Sequence, residues 1–141
     1  MAQRRRRPVA AGTLFLDSEG LSKAATGDHA VRAHLTVASR RGARVVISAL
    51  SLTETLRGGP RDALLHRVLA GITVVPVSRD VAAEAGRLLG SLATRNDATV
   101  DAVVAITAEQ QPPPVVLLTS DPVDMGVLTE RSSAVTAVEH V

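Results

Sequence analysis

The sequence predicts an α/β fold of three layers, in which helices cover both faces of a central, mainly parallel five-stranded sheet. Short apolar runs alternate along the chain with segments whose apolar residues recur at helical spacing. Alternation of this kind is typical of a parallel sheet with helices on both sides. The length of 141 residues suits one domain, and an apolar fraction of 45% is enough to build one core.

The five strands are expected where apolar and β-branched residues form short runs that end at polar residues, glycine or proline. In chain order these runs occupy residues 13–16, 44–48, 72–77, 115–119 and 134–138. Most of them are apolar without alternation, which is typical of strands buried on both faces of a parallel sheet. The last run is the weakest of the five.

Helices are expected between these strands, because apolar residues there recur every three or four positions between capping signals. Ser18 is a candidate N-cap of the first helix, and Gly27 and Gly42 are candidate C-terminal stops. Pro60 suits the first position of a later helix. The expected helices cover residues 19–26, 28–41, 51–57, 60–70, 79–93, 99–110 and 122–130.

Residues 1–11 are expected to be a flexible basic arm, and residues 12–141 the folded domain. Four of the 16 Lys and Arg residues are in the arm, so 12 remain in the domain against 14 carboxylates. Such an arm can contact RNA phosphates, or it can be a solvated tail. The four arginines are Arg4, Arg5, Arg6 and Arg7.

The composition excludes several classes of functional site. The chain has no cysteine, which excludes disulfides, zinc–thiolate and iron–sulfur sites and a cysteine nucleophile. Phe15 is the one aromatic residue, which argues against base-stacking platforms. No apolar run approaches the roughly 20 residues of a membrane-spanning helix, and no signal peptide is recognisable. We therefore expect a cytoplasmic protein that does not associate with membranes.

Acidic residues follow the predicted strands. Asp17 follows the first strand, Asp121 the fourth, and Glu54 lies soon after the second; ligands of parallel sheets bind at the carboxyl ends of strands. Asp101 lies in the apolar stretch 100–105, where a carboxylate is costly to bury unless it is paired or binds a metal. Oxygen ligands without His or Cys suit Mg²⁺ or Mn²⁺. Because such an ion can activate water and neutralise a phosphodiester, the pattern predicts metal-assisted phosphoryl chemistry.

Four segments resemble the motifs of PIN domains, in particular those of VapC-like toxins from bacterial type II toxin–antitoxin modules. Their order, their spacing and their placement at strand ends are together more specific than any one of them. The resemblance covers about residues 12–140. The segments are 14–18 (LFLDS), 51–54 (SLTE), 100–105 (VDAVVA) and 118–121 (LTSD).

The resemblance implies a PIN-like fold and a metal-dependent endoribonuclease that cuts single-stranded or loop RNA. It implies four catalytic acids, with Mg²⁺ or Mn²⁺ bound by the three aspartates, and a hydroxyl at Thr119 that supports the site. It also implies a homodimer and a cognate antitoxin that inserts a segment near the acids. The catalytic acids are Asp17, Glu54, Asp101 and Asp121.

Other polar residues near the motifs are candidates for supporting roles. Ser18 can form a hydrogen bond near the metal, besides capping the first helix, and three acids can be additional ligands of metal or water: Asp97, Asp124 and Glu19. The basic arm is not a general feature of the family.

Each acid also has an ordinary structural explanation. Asp17 and Asp121 can cap helices, Asp101 can be an N-terminal helix residue that the helix dipole stabilises, and Glu54 can be a solvated helix residue. Two alternatives for the whole chain stay open. One is a non-catalytic PIN-like domain that binds RNA or a partner. The other is a receiver-like domain, although no lysine follows Lys23 to complete such a site.

Overall fold

A computed structural model describes residues 11–92 and 96–141. Its centre is a five-stranded sheet with the strand order β3-β2-β1-β4-β5, and every neighbouring pair is parallel. The sheet expected to be mainly parallel is thus parallel throughout, and the predicted α/β class is confirmed. The strands are β1 Thr13–Leu16, β2 Arg44–Ser48, β3 Thr73–Val75, β4 Val115–Thr119 and β5 Val135–His140.

Seven α-helices and three 3₁₀ turns connect the strands within the described residues. The helices are α1 Ser18–Thr26, α2 His29–Arg41, α3 Leu52–Thr55, α4 Ala63–Leu69, α5 Arg79–Leu92, α6 Thr99–Glu109 and α7 Pro122–Thr129. The 3₁₀ turns are Ala49–Ser51, Pro60–Asp62 and Asn96–Ala98. None of the described helices combines the length and the apolar character that a membrane span requires.

Neighbouring residues of β1 point into different cores, which places helices on both faces of the sheet. Leu14 and Leu16 pack with Val31 of α2 on one face. Phe15 packs on the other face with Val104 of α6 and Met125 of α7. Helix α5 then covers the outer side of α6. The result is the expected three-layer arrangement.

Two strands differ from their predicted limits. The third was expected at 72–77 but spans Thr73–Val75, because Pro76 has no N–H to donate to the ladder. The fifth was expected at 134–138 but spans Val135–His140. This edge strand keeps pairing with β4 through Glu139 and His140, whose polar side chains hid the strand from an apolar pattern.

Two predicted helices are shorter than expected because a 3₁₀ turn precedes each of them. The segment predicted at 51–57 is the turn Ala49–Ser51 followed by α3, which ends at Thr55. The segment predicted at 60–70 is the turn Pro60–Asp62 followed by α4. Pro60 does occupy the start of its helical segment, as expected. Residue 93, the predicted end of the fifth helix, lies outside the described residues.

The strand order decides against the receiver-like alternative and locates the candidate site. Receiver-like sheets have the order 2-1-3-4-5, whereas this sheet has β3-β2-β1-β4-β5. Its order reverses between β1 and β4, and such switch points form the crevice where α/β folds bind ligands. Asp17 directly follows β1, and Asp121 lies two residues after the end of β4.

Candidate active site

Asp17 joins the ends of β1 and β4 through its carboxylate. One oxygen, Oδ1, accepts a hydrogen bond of 2.7 Å from the N–H of Gly20, and Oδ2 accepts one of 3.2 Å from the N–H of Ser120. The side chain is 8% exposed. Asp17 is therefore the N-cap of α1. Ser18, the predicted cap, is instead the first residue of the helix, because the carboxylate before it already satisfies the free N–H.

Asp121 is held by hydrogen bonds on both sides. Its N–H donates to the buried Thr119 hydroxyl over 3.1 Å. Its Oδ1 accepts a hydrogen bond of 3.1 Å from the N–H of Asp124, which makes Asp121 the N-cap of α7. Asp121 and Asp124 are both exposed. Thr119 thus fixes the backbone of the acid, while part of its carboxylate surface remains open to solvent.

Glu54 lies on α3 and is exposed. Its side chain has no hydrogen-bond partner within the described ranges. The backbone around it is well held, because the guanidinium of Arg57 donates to the carbonyls of Thr53 and Glu54 at 2.9 and 3.2 Å. The position of Glu54 is therefore set by the main chain, and its carboxylate is free to turn.

Buried Asp62 fixes the loop that follows Glu54. Its Oδ2 accepts hydrogen bonds from the N–H groups of Arg57, at 3.0 Å, and Gly58, at 2.7 Å. Asp62 is only 4% exposed. Neither Arg57 nor Asp62 was singled out from the sequence. The Gly58-Gly59-Pro60 stretch did mark a turn, but nothing in it showed which acid would fold back to bind that turn.

Asp101 is the acid around which the others gather. It lies half-buried in the first turn of α6. Burial raises the pKa of Asp101, since a charged carboxylate is less stable away from water. Four other carboxylates raise the pKa of Asp101 further by repulsion; in decreasing order they are Glu54, Asp17, Asp121 and Asp124. We call these five residues the carboxylate cluster.

The donor chemistry of the carboxylate cluster suits a hard divalent cation such as Mg²⁺ or Mn²⁺, because every donor is a carboxylate oxygen. The five carboxylates are close enough for charge repulsion to raise the pKa of Asp101. Among the described residues, no three side chains of His, Cys, Asp or Glu lie close enough together to hold a metal ion. Asp17 and Asp121 use oxygens as helix caps, yet each carboxylate oxygen can accept more than one bond. The residues present thus fit such an ion in chemistry, and binding it requires side chains to turn.

Three other predicted site residues lie nearby but apart from the carboxylate cluster. Ser18 and Glu19 are partly buried in the first turn of α1. Asp97 is exposed in the 3₁₀ turn before α6. Neither Glu19 nor Asp97 is among the carboxylates that raise the pKa of Asp101. The arm residues Arg4, Arg5, Arg6 and Arg7 lie outside the described residues.

Gly20 is a further residue of the site that the sequence did not reveal. A Cβ added to Gly20 would lie 3.3 Å from Cβ of Leu16 and 3.5 Å from Oδ1 of Asp17. Glycine therefore allows α1 to approach the end of β1 closely enough for the 2.7 Å hydrogen bond to Asp17. A glycine inside a predicted helix was the available signal, since it costs helix stability unless close packing requires it.

Comparison with known proteins yields structural neighbours. The sequence matches no family model and no curated protein. Its fold matches a chain in the crystal structure of VapBC2 from Rickettsia felis bound to a promoter DNA fragment, with a TM-score of 0.65 and 13% identity. That match covers 92% of this chain and 98% of the other.

A second match is to a chain in the structure of FitAB bound to the IR36 DNA fragment. Its TM-score is 0.62 and its identity 18%, over 90% of this chain and 94% of that one. Both neighbours are PIN-domain structures. At these identities the matches show the fold, and they confirm the PIN-like fold that the sequence motifs implied.

Proposed function

We propose that this PIN-fold chain is a Mg²⁺- or Mn²⁺-dependent endoribonuclease, the toxin of a toxin–antitoxin pair. The observation that carries the proposal is the half-buried Asp101, on which the carboxylates of two strand ends and α3 converge. Five like charges at the switch point of a parallel sheet are unfavourable for stability alone. They are favourable where a cation and a phosphodiester must be bound together.

Asp17, Asp101 and Asp121 are the residues that would hold the cation, with Glu54 beside them as the fourth catalytic acid. An ion bound there would supply Lewis-acid activation of water and would neutralise charge on the phosphodiester. The chain prepares this chemistry by holding Asp17 between two backbone N–H groups and Asp121 on the Thr119 hydroxyl. The exposed carboxylate of Glu54 is suited to orient the attacking water and to accept its proton.

The proposed substrate is single-stranded RNA or an exposed RNA loop. The site lies at the carboxyl ends of the β-strands, where Glu54, Asp121 and Asp124 are exposed. A flexible single strand of RNA can approach such a site more easily than a duplex can. Partners are proposed from the neighbours, of which one is VapBC2 and the other FitAB. We propose a cognate antitoxin that inserts a segment near the carboxylate cluster, and a homodimer.

Cleavage of total RNA tests the proposal. The wild-type protein should cut RNA with Mg²⁺ or Mn²⁺ and stop in EDTA. Glu54→Gln and Asp121→Asn should each lower cleavage at least a hundredfold. Both should leave the melting temperature nearly unchanged, since both side chains are exposed and asparagine can still cap α7. Asp80→Asn, which removes an exposed acid on α5, is the matched control and should cut normally. Equal cleavage in EDTA, or by both amide variants, would contradict the assignment.

A non-catalytic domain that binds RNA or a partner is the second candidate. It is favoured by one observation, namely that no three acids in the described part of the chain are placed to hold an ion. The same assay separates the two functions. A binding domain would retain RNA in EDTA and in Mg²⁺ alike, and it would leave the RNA intact.

A further inference from the structure

The hydroxyl of Ser51 is buried and has no hydrogen-bond partner in the part of the chain that the structure describes. Other buried hydroxyls there are paired. Ser48 accepts from the N–H of Leu50 at 3.2 Å, and Thr107 and Thr129 donate to helix carbonyls at 2.7 and 2.9 Å. An unpaired buried hydroxyl is unfavourable, and in a native fold it calls for an explanation.

Ser51 lies between α3, which carries Glu54, and α6, which carries Asp101. It ends the 3₁₀ turn Ala49–Ser51 and directly precedes α3. The turn packs against α6, and Leu50 packs against the buried apolar cluster to which Ala102 and Val103 belong. Asp101 directly precedes Ala102 in α6. Ser51 is thus fully buried beside the carboxylate cluster, three residues before Glu54.

The sequence from Ser51 to Glu54, SLTE, is a capping-box pattern, yet the capping box does not form. In a capping box the serine hydroxyl accepts a backbone N–H three residues on, and the glutamate folds back to the N–H of the serine. Here Ser51 has helical backbone angles, φ −62° and ψ −22°, and its side chain makes no cap hydrogen bond. The two side chains that would normally stabilise the start of α3 are therefore both uncommitted.

We propose that Ser51 is a positioning residue whose hydroxyl donates to the carboxylate of Glu54 when that side chain turns into the carboxylate cluster. Residues three apart on a helical turn lie on the same side, within reach of each other. Glu54 is exposed, and its side chain has no hydrogen bond within residues 11–92 and 96–141 that would have to break before it turns. The bond would hold Glu54 toward Asp101 and so complete the cation site. This inference rests on the proposed function.

Binding of Mn²⁺ to the intact protein tests the inference apart from activity. Free Mn²⁺ can be measured by its electron paramagnetic resonance signal in a titration of protein freed of metal. Ser51→Ala should weaken Mn²⁺ binding about tenfold, as loss of outer-shell partners commonly does. Its melting temperature in EDTA should be unchanged or higher, because the substitution removes an unpaired buried hydroxyl. Thr53→Ala is the matched control and should bind Mn²⁺ like the wild type, since this exposed hydroxyl only donates to the Leu50 carbonyl.

A double-mutant cycle shows whether the hydroxyl acts through Glu54. In a Glu54→Ala background, Ser51→Ala should cause no further loss of Mn²⁺ affinity. An equal loss in both backgrounds, or no loss in the wild-type background, would overturn the role of Ser51 while leaving the proposed function intact. Failure of the wild-type protein to bind Mn²⁺ would overturn both.

Discussion

Asp17 has a structural task that is separate from any role in catalysis. Its two oxygens accept backbone N–H groups from α1 and from the segment after β4, so it caps a helix and ties two strand ends together. An amide at this position can accept only one of the two bonds, and its NH₂ group would face the other N–H.

We expect Asp17→Asn to lower the free energy of unfolding by about 1–3 kcal/mol, the usual cost of an unsatisfied buried hydrogen-bonding group. Urea unfolding measures this directly. Asp121→Asn is the comparison and should cost less than about 1 kcal/mol, because the position is exposed and asparagine can cap α7 about as well as aspartate. Equal losses of unfolding free energy in the two variants would contradict the proposal that Asp17 links the ends of β1 and β4 through its hydrogen bonds. Loss of cleavage in Asp17→Asn would by itself say little about metal binding.

Asp101 makes the stability of the protein depend on pH. Burial, and then repulsion from Glu54 and the other carboxylates, raises its pKa in the folded state. The folded state therefore binds this proton more tightly than the unfolded chain. The resulting contribution to stability is fully present below the unfolded pKa of about 3.9 and is lost as the pH rises through the raised pKa.

Asp101→Asn should remove this dependence. In EDTA we expect the variant to be more stable than the wild type at pH 7 and to lose the advantage as the pH falls toward 4. Thermal melts across that range measure the difference between the two proteins. Asp80→Asn, at an exposed position on α5, should keep the wild-type profile, because Asp80 is not among the carboxylates that raise the pKa of Asp101. A constant difference between Asp101→Asn and the wild type at all pH values would contradict the prediction.

At the scale of elements, the sequence predicted β1, β2 and β4 to the residue. Each of the three is a dense apolar run, and hydrophobic burial alone determines where such a run pairs. Edge strands and short helices were predicted less well. Strand β5 continues into polar residues because backbone pairing with β4 holds it, and α3 is preceded by a 3₁₀ turn that no periodicity marks.

The residues of the candidate site also fall into two groups, those that the sequence indicated and those that it did not. Asp17, Asp101 and Asp121 could be singled out because they follow or interrupt apolar runs, and Glu54 because of the motif in which it stands. Asp62 and Gly20 could not be, since their roles depend on contacts made only after the chain folds: a loop that turns back on a carboxylate, and a helix that approaches a strand.

Two glycines within helices should respond oppositely to alanine. Around Gly86, in α5, nothing lies within 4 Å of an added Cβ. We expect Gly86→Ala to stabilise the protein by about 0.5–1 kcal/mol through helix propensity. Gly20→Ala should give no such gain, because the added Cβ would lie 3.3 Å from Leu16 and would push α1 away from Asp17. Urea unfolding of both variants measures this, and equal stabilisation would argue against close packing at Gly20.

At the scale of the whole molecule, the carboxylate cluster and the basic end of α2 lie at opposite ends of the parallel strands. The carboxylate cluster lies at the carboxyl ends of β1 and β4. The chain enters the described part at the other end, where the N–H of Arg44 donates to the Gly12 carbonyl over 3.2 Å. Exposed Arg40 and Arg41 end α2 close to the start of β2. The arginines at positions 4–7 come before β1 in the chain, so the arm joins the described part at the end of the sheet near Arg40 and Arg41.

Deletion of residues 2–7 tests whether the arm contributes to RNA binding. Arg7 is five residues from Gly12 and, with the chain extended, can lie up to about 17 Å from it, whereas a four-residue strand is about 13 Å long. The arm is therefore long enough to span the length of a strand. Each phosphate neutralised on a single strand contributes about 0.7 to the slope of log affinity against log salt concentration. Four arginines would together account for a slope of up to about 2.8.

We expect the deletion to weaken RNA binding and to flatten its salt dependence by up to that amount, measured in EDTA at several salt concentrations so that RNA is not cut. Replacing the four arginines with glutamine should have the same effect, because the contribution comes from charge and not from chain length. Binding of Mn²⁺ and the position of the cut should not change, since the carboxylate cluster is carried by β1, α3, α6 and the segment after β4. If the full-length and deleted proteins give equal slopes, the arm is a solvated tail, and the RNA-binding charge belongs to the folded part of the chain.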